Sequence, residues 1–233
     1  MKLSIIVPVY NEVNTIEKIV NKIIDLKGLD TQIIIIDDNS SDGTTDILKN
    51  KIFNLVDLII YHSQNLGKGA AIKSAQKHVS GDIVIIQDAD LEYDPKDYYA
   101  LLQPFKKKIS DVVYGSRTLG KKRYSYSSGF ISFLRIFSNH MLTLFSNLLN
   151  QQNLTDAHTC YKVFKSEVFK DINLQEKDFA FCPEITSKIS KIGLKIVEVP
   201  ISYQGRKVSE GKKISIFDGF RALYVLIKYK FFY

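Results

Sequence analysis

The chain has 233 residues, 45% hydrophobic and 24% charged, which is enough for one large core and too apolar for a disordered chain. Only two cysteines occur, Cys160 and Cys182, so a disulfide scaffold and a thiolate metal cluster are excluded. A net charge of +7 points to an anionic partner: nucleic acid, a lipid surface or a phosphorylated small molecule.

The apolar N-terminal run is short and broken by Pro8, with no small-residue cleavage site behind it, so it does not read as a signal peptide. No run of about 18 uncharged apolar residues occurs, so no spanning helix is expected and the chain reads as cytoplasmic. Leu3–Val9 predicts a first strand. Asn14-Thr15-Ile16-Glu17 has the spacing of a capping box and opens a helix to about Leu26. Gln32–Ile36 holds four consecutive isoleucines; with Asp57–Tyr61, Ile83–Ile86 and Val112–Tyr114 it predicts four more strands, and Gly69–Val79 predicts a helix. Strands apolar on both faces and separated by helices predict an open α/β fold over residues 1–116, with a mostly parallel sheet flanked by helices. Ligands bind such sheets beyond the carboxyl ends of the strands.

In the second half, Phe130–Leu149 predicts a long amphipathic helix with Arg135, Asn139, Thr143 and Ser146 on its polar face. Cys182–Ile192 predicts a further helix, Leu194–Tyr203 a strand, and Ile214–Tyr233 a second amphipathic segment rich in aromatics. No linker separates the halves, so the change near residue 116 reads as a seam within one catalytic body, 1–116 and 117–213, followed by a C-terminal helix at 214–233.

Polar clusters follow nearly every predicted strand: Pro8-Val9-Tyr10-Asn11-Glu12, Asp37 to Thr44, Asn65-Leu66-Gly67-Lys68-Gly69, Gln87-Asp88-Ala89-Asp90 and Gly115-Ser116-Arg117. One such cluster is an ordinary turn signal, but five on one sheet edge line a single crevice. Asp88 and Asp90, two carboxylates at i and i+2 leaving a buried strand, can reach one hard cation such as Mg²⁺ or Mn²⁺ shared with substrate phosphates. A helix cap plus a solvated turn acid is the commoner explanation of an isolated pair of this kind. Glu92 is a third nearby carboxylate or a surface residue. Asp37 and Asp38 suit ribose hydroxyls, a base edge or a helix cap. Gly67-Lys68-Gly69 suits a phosphate or base beside a helix N-terminus, although it is not a Walker A loop.

These motifs, in this order and at these intervals, resemble a family 2 glycosyltransferase of the GT-A fold. Gly115-Ser116-Arg117 and Arg206 to Lys212 narrow the resemblance to the dolichol-phosphate (polyprenyl-phosphate) mannosyltransferase branch, over residues 3–213. It implies that Pro8, Tyr10 and Glu12 hold the nucleotide base and ribose of a nucleotide-sugar donor, with Ile36 and Asp38 flanking the pocket. It implies that Asp88, Asp90 and Glu92 hold Mg²⁺ or Mn²⁺ on the diphosphate, Ala89 contributing backbone and Lys68 a phosphate contact. Arg206 and Lys212 would close on the diphosphate, and Arg117, with Arg135 and Arg123, would meet a lipid-phosphate acceptor; the residues expected to act in catalysis are Asp90, Arg117 and Arg206. Two departures stand out: relatives often carry Gln where Glu92 stands, and many carry a transmembrane tail.

The expected reaction is metal-dependent inverting transfer of a hexose, mannose or glucose, from a GDP- or UDP-sugar to a polyprenyl phosphate. A hydroxyl acceptor in a surface polysaccharide is the alternative; it needs a general base, for which Glu184 is the candidate, although a first-turn helix acid explains Glu184 equally. A non-enzymatic anion-binding module is a distant third. Residues 104–135 carry eight Lys/Arg and one acid, residues 204–233 carry seven and two, and the remainder is net acidic. The basic excess therefore adjoins both amphipathic segments, which suits an anionic membrane surface, with or without a membrane-anchoring protein, better than nucleic acid. Peripheral attachment at the inner face of a membrane is the expected location.

Overall fold

The computed structural model describes residues 1–120, 130–206 and 216–232. A seven-stranded sheet runs through them in the order β3-β2-β1-β4-β6-β5-β7. The strands are β1 (Lys2–Val9), β2 (Asp30–Asp37), β3 (Leu58–Tyr61), β4 (Ile83–Ile86), β5 (Val112–Ser116), β6 (Lys162–Lys165) and β7 (Ile196–Pro200). The helices are α1 (Ile16–Ile24), α2 (Thr44–Ile47), α3 (Lys68–Ala75), α4 (Tyr98–Leu101), α5 (Gln103–Lys106), α6 (Phe130–Asn150), α7 (Ser166–Asp171), α8 (Phe181–Lys191) and α9 (Ile216–Phe231).

The unbroken apolar strands alternate faces with a period of two. Ile5, Val7, Ile33, Ile35 and Ile85 enter one core with α1 and Leu101 of α4, while Ile6, Ile34, Ile36, Val84 and Ile86 enter the other with α3 and α8. Burial on both faces explains why these segments lack polar alternation, and each buried isoleucine contributes about 1.5–3 kcal/mol of transfer free energy. β1 pairs in parallel with both β2 and β4, and β2 with β3. β6 is antiparallel to β4 and β5, which restores β5 and β7 to the direction of β1. Six carboxyl ends therefore share one edge, and the chain entering β6, residues 156–161, arrives at that same edge.

Three local expectations change. β6 carries only Val163 and Phe164 between two lysines, too few residues to display a pattern, and it is absent from the sequence reading. Thr15 precedes α1 but makes no side-chain cap; its hydroxyl donates instead to the Glu12 carboxylate at 2.8 Å. The polar side of α6 faces inward. Thr143 and Ser146 are buried, Asn139 donates toward Asp156 at 3.4 Å, and Asn147 brackets Leu154 with two hydrogen bonds. Phe137, Met141 and Leu148 of the same helix are exposed.

Behind the edge, fully buried Gln87 accepts hydrogen bonds from the Tyr98 hydroxyl at 2.6 Å and the Tyr161 hydroxyl at 2.7 Å. It thereby ties the end of β4 to α4 and to the residue preceding β6. Replacing Gln87 with Met leaves two buried hydroxyls unpaired, and at about 1–3 kcal/mol each the loss is roughly 2–6 kcal/mol in denaturant unfolding. A loss below about 1 kcal/mol would show that the hydroxyls find other partners.

Candidate active site

The site is built where β4 ends. Asp88 and Asp90 are half-buried on either side of buried Ala89, and Leu91 follows in the left-handed region at φ 64°. That conformation is strained for a branched side chain and turns the chain sharply after the two acids. Asp88 forms an ion pair with Lys68, the first residue of α3, whose ammonium also lies 3.2 Å from the Cys160 sulfur. Burial opposes a charged Lys68, but Asp88 outweighs it and holds the ammonium's pKa above the ordinary lysine range.

Asp90 has no ion-pair partner among the described residues; one oxygen accepts the backbone N–H of Glu92 at 3.0 Å. Burial first, then the neighbouring charges of Asp88 and Glu92, push its pKa up to about 7. Glu92 does not join the pair. Its carboxylate accepts the Tyr203 hydroxyl at 2.8 Å and the Arg206 backbone N–H at 2.6 Å. Among the described residues, no three acidic, histidine or cysteine side chains gather round one point. Asp88 and Asp90 are the two of the expected ligands whose carboxylates are not taken up by the segment after β7. An all-oxygen pair with excess negative charge fits a hard divalent ion whose other ligands are phosphate oxygens and water.

Two arginines stand at the same sheet edge, each seated on a carboxylate. Arg206 grips Glu12 through both terminal nitrogens, at 3.1 and 2.6 Å, and donates from Nε to the Asp90 carbonyl at 3.0 Å. It thus joins the end of β1 to the end of β4. Arg117 binds Asp156 at 2.6 and 2.8 Å and lies over the Tyr203 ring, 5.0 Å from its centroid. Burial of Asp156 works against its ionisation, yet Arg117 holds its pKa below the usual carboxylate range. Tyr93 completes the floor between Tyr161 and Tyr203, with ring centroids at 4.8 and 5.2 Å.

The remaining expected residues separate into groups. Pro8 and Tyr10 are half-buried at the end of β1, beside Glu12. Ile36 is wholly buried in the core that it shares with α3. Asp38 is also buried, and its oxygens accept the backbone N–H groups of Leu66 at 2.9 Å and Gly67 at 2.7 Å, with His62 at 2.7 Å. It shapes the turn before α3. Arg135 is exposed on α6, one turn before Asn139. Arg123 and Lys212 lie outside the described residues. Glu184 is fully buried and accepts from the backbones of Gln175 and Glu176 and from Lys188. Tyr203 is a residue of this edge that sequence reasoning missed; it stands outside the five strand-end clusters and enters after β7, while Asp156, in a segment that lines the acceptor side in relatives, enters before β6.

The family model for Glycosyl transferase family 2 matches residues 4–173. The chain belongs to that family. It is 28% identical over 236 residues to a dolichol-phosphate mannosyltransferase of Pyrococcus furiosus, covering 99% of this chain and 65% of that protein. The chain thus spans about two thirds of that relative's length. It is 27% identical to a dolichyl-phosphate β-glucosyltransferase of Trichomonas vaginalis (99% of this chain, 73% of the relative). It is 25% identical to an undecaprenyl-phosphate mannosyltransferase of Micrococcus luteus (91% and 87%). Among solved structures, glucosyl-3-phosphoglycerate synthase of Mycobacterium tuberculosis with Mn²⁺, UDP and product superposes with a TM-score of 0.72 at 18% identity, over 98% of this chain and 80% of that one. The fold is GT-A, and the transferase is an enzyme of this family.

The raised pKa of Asp90 has a consequence for stability. A carboxyl that holds its proton more tightly when folded costs stability once the pH exceeds its unfolded value of 3.8, with the full cost reached above about 7. In metal-free buffer Asp90→Asn should therefore raise the melting temperature at pH 8 and leave it unchanged below about pH 4. A gain that does not vary with pH would contradict this electrostatic origin.

Proposed function

We propose that the enzyme transfers a hexose, mannose or glucose, from a GDP- or UDP-sugar to a polyprenyl phosphate, with inversion at the anomeric carbon. The observation that carries this reading is that Asp88, paired with Lys68, and Asp90, whose carbonyl accepts from Arg206 Nε, stand at the same carboxyl edge of the sheet as Arg117 on Asp156. Three relatives named for dolichyl or undecaprenyl phosphate acceptors support the acceptor class.

In this reading Pro8, Tyr10 and Glu12 receive the base and ribose, over a pocket that Ile36 and Asp38 support. Asp88 and Asp90 hold Mg²⁺ or Mn²⁺ against the donor diphosphate. Bound there, the ion supplies positive charge to the departing nucleoside diphosphate. Arg206 exchanges Glu12 for a diphosphate oxygen, and Lys68, freed from Asp88, adds a second cation; Lys212 follows Arg206 on the same segment. Arg117, held in orientation by Asp156, meets the acceptor phosphate with Arg135 and Arg123. A phosphate monoester has a second pKa of about 6 and is largely dianionic at neutral pH, so its oxygen attacks without a general base. The new carbon–oxygen bond forms as the bond to the diphosphate breaks. A buried Glu184, already bonded to two backbone N–H groups and Lys188, offers no base for a hydroxyl acceptor, which favours the phosphate over the glycan alternative.

The exposed apolar sides of α6 and α9 support peripheral attachment to an anionic membrane. Phe217, Phe220 and Tyr224 are at least 63% exposed, next to the basic segments, and no helix among the described residues is long and apolar enough to cross a membrane. Residues 1–213 then form the catalytic body and 214–233 a surface-seeking helix; a membrane-anchoring protein is a further partner of this face.

Incubating the purified chain with candidate nucleotide sugars, Mn²⁺ and a polyprenyl phosphate should yield a lipid-linked sugar, reduced at least about 100-fold in Asp90→Ala, as expected for loss of a main electrostatic element. Lipid product formed equally by parent and Asp90→Ala, or transfer only to soluble glycans, would sink the reading. In vesicle sedimentation, the chain should bind anionic vesicles and release at high salt. Phe217→Asp/Phe220→Asp should weaken binding more than about tenfold, since each phenylalanine contributes about 1.5–3 kcal/mol when buried. Undiminished binding by that variant would place the contact elsewhere.

A further inference from the structure

The segment Gln175–Asp178, which leads into α8, lies between the turn that begins α3 and helix α9. On one side stands the turn that begins α3. A Cβ at Gly69 would come within 2.2 Å of the Glu176 carbonyl oxygen, and one at Gly67 within 2.5 Å of the Lys177 carbonyl oxygen. The Ala70 N–H donates to that same Lys177 carbonyl at 3.0 Å. Glycine at both positions lets the two backbones touch, and Gly67 also adopts φ 92°, a conformation that disfavours other residues. Lys68, between the glycines, places its ammonium 5.9 Å from the ring centroids of Phe179 and Phe181 and on Asp88.

On the other side stands α9. The Glu176 carboxylate, 7% exposed, accepts from Lys228 at 2.7 Å, Arg221 at 3.1 Å and the Tyr229 hydroxyl at 3.2 Å. Arg221 also reaches Asp178 at 2.5 Å, but both of those side chains are more than a third exposed, where an ion pair contributes little. The buried carboxylate with three donors is the stronger joint, because removing one partner strands the others. Glu184 fixes the segment from below through the Gln175 and Glu176 N–H groups, at 2.7 and 2.8 Å. The helix that turns its aromatic side outward thus fastens its charged side to the backbone on which the Lys68 turn is built.

We propose that Glu176 is a positioning residue for donor binding: by holding α9 it fixes the backbone that seats Gly67-Lys68-Gly69, and so sets Lys68 against Asp88. The inference rests on the reading of Lys68 and Asp88 as donor-site residues. It makes the C-terminal helix a strut of the nucleotide pocket as well as a surface element.

The test compares the full chain with Glu176→Ala, Glu176→Gln, Arg221→Ala/Lys228→Ala, and the combination of Glu176→Ala with the latter pair. Hydrogen exchange is followed at a temperature well below melting. Peptides covering residues 66–72 should exchange at least about fivefold faster in Glu176→Ala and in Arg221→Ala/Lys228→Ala, with no further increase in the combination, the non-additivity expected of one joint. Glu176→Gln, which keeps shape and acceptor, should fall between. Calorimetry with Mn²⁺ and UDP or GDP should show a parallel loss of affinity of about fivefold, a dissection that a purely structural helix would not produce. Faster exchange confined to α9, with residues 66–72 unchanged, would overturn the proposal. If neither nucleotide binds the parent chain, the donor reading fails, while the exchange result still decides whether Glu176 sets the turn.

Discussion

The carboxyl edge of this sheet is governed by one constraint: several carboxylates are partly removed from water there, and each must be neutralised. Glu12 is matched by Arg206, Asp88 by Lys68 and Asp156 by Arg117. Asp90 has no cation of its own among the described residues, and burial together with the charges of Asp88 and Glu92 raises its pKa. In the proposed reading these are the cations that a diphosphate meets, each occupied meanwhile by an internal carboxylate. Substrate anions would then exchange for carboxylates, so that binding moves existing charges and avoids burying new ones. The strain at Leu91 belongs to the same edge, since it turns the chain directly after the two acids and brings Glu92 back toward Tyr203 and Arg206.

The inner strands were legible because both of their faces are buried. Ile33 to Ile36 point alternately into two cores, which erases polar alternation and leaves an unmistakable apolar run. The crevice was legible because strand-end polarity repeats along one edge. What stayed hidden has a physical reason in each case. β6 is four residues long, gains its order from β4 and β5 on either side, and carries a buried lysine at its start. Lys162 donates to the Ala157 carbonyl at 2.9 Å and sits 3.8 Å from the Tyr114 ring centroid, a lodging that no periodicity announces. Asp156 and Tyr203 enter the site only because β6 reverses direction and the chain after β7 folds back over Glu92, both long-range facts.

The assignments of Glu92 and Asp38 show a second limit. Composition and spacing say that an acid is present at a strand end; they do not say what it faces. Asp38 looks outward on a sequence diagram, yet its oxygens are consumed by Leu66, Gly67 and His62, because the turn before α3 exposes backbone N–H groups that need acceptors. Glu92 is likewise claimed by the backbone of Arg206 and the hydroxyl of Tyr203. Both acids fix chain at the edge: Asp38 the turn that carries Lys68, Glu92 the segment that carries Arg206.

Helix α6 carries the same argument to the surface. Its amphipathic pattern was visible, but the usual inference that the apolar side packs inward is reversed, since Thr143 and Ser146 are buried while Phe137 and Leu148 are exposed. The inward polar side is satisfied by Asp156 and by the backbone around Leu154 and Ala157. An amphipathic helix so turned presents to its surroundings the side that water disfavours, and contiguous apolar patches of this kind mark interaction sites. α9 packs beside it with the same outward sense, burying Ala222, Val225 and Tyr229 while exposing Phe217 and Phe220. Asp156 binds both α6, through Asn139, and Arg117, so the helix that faces outward and the cation proposed for the acceptor phosphate share one buried carboxylate. An acceptor whose phosphate lies at a membrane surface and whose chain lies within it would meet both along that single line of contacts.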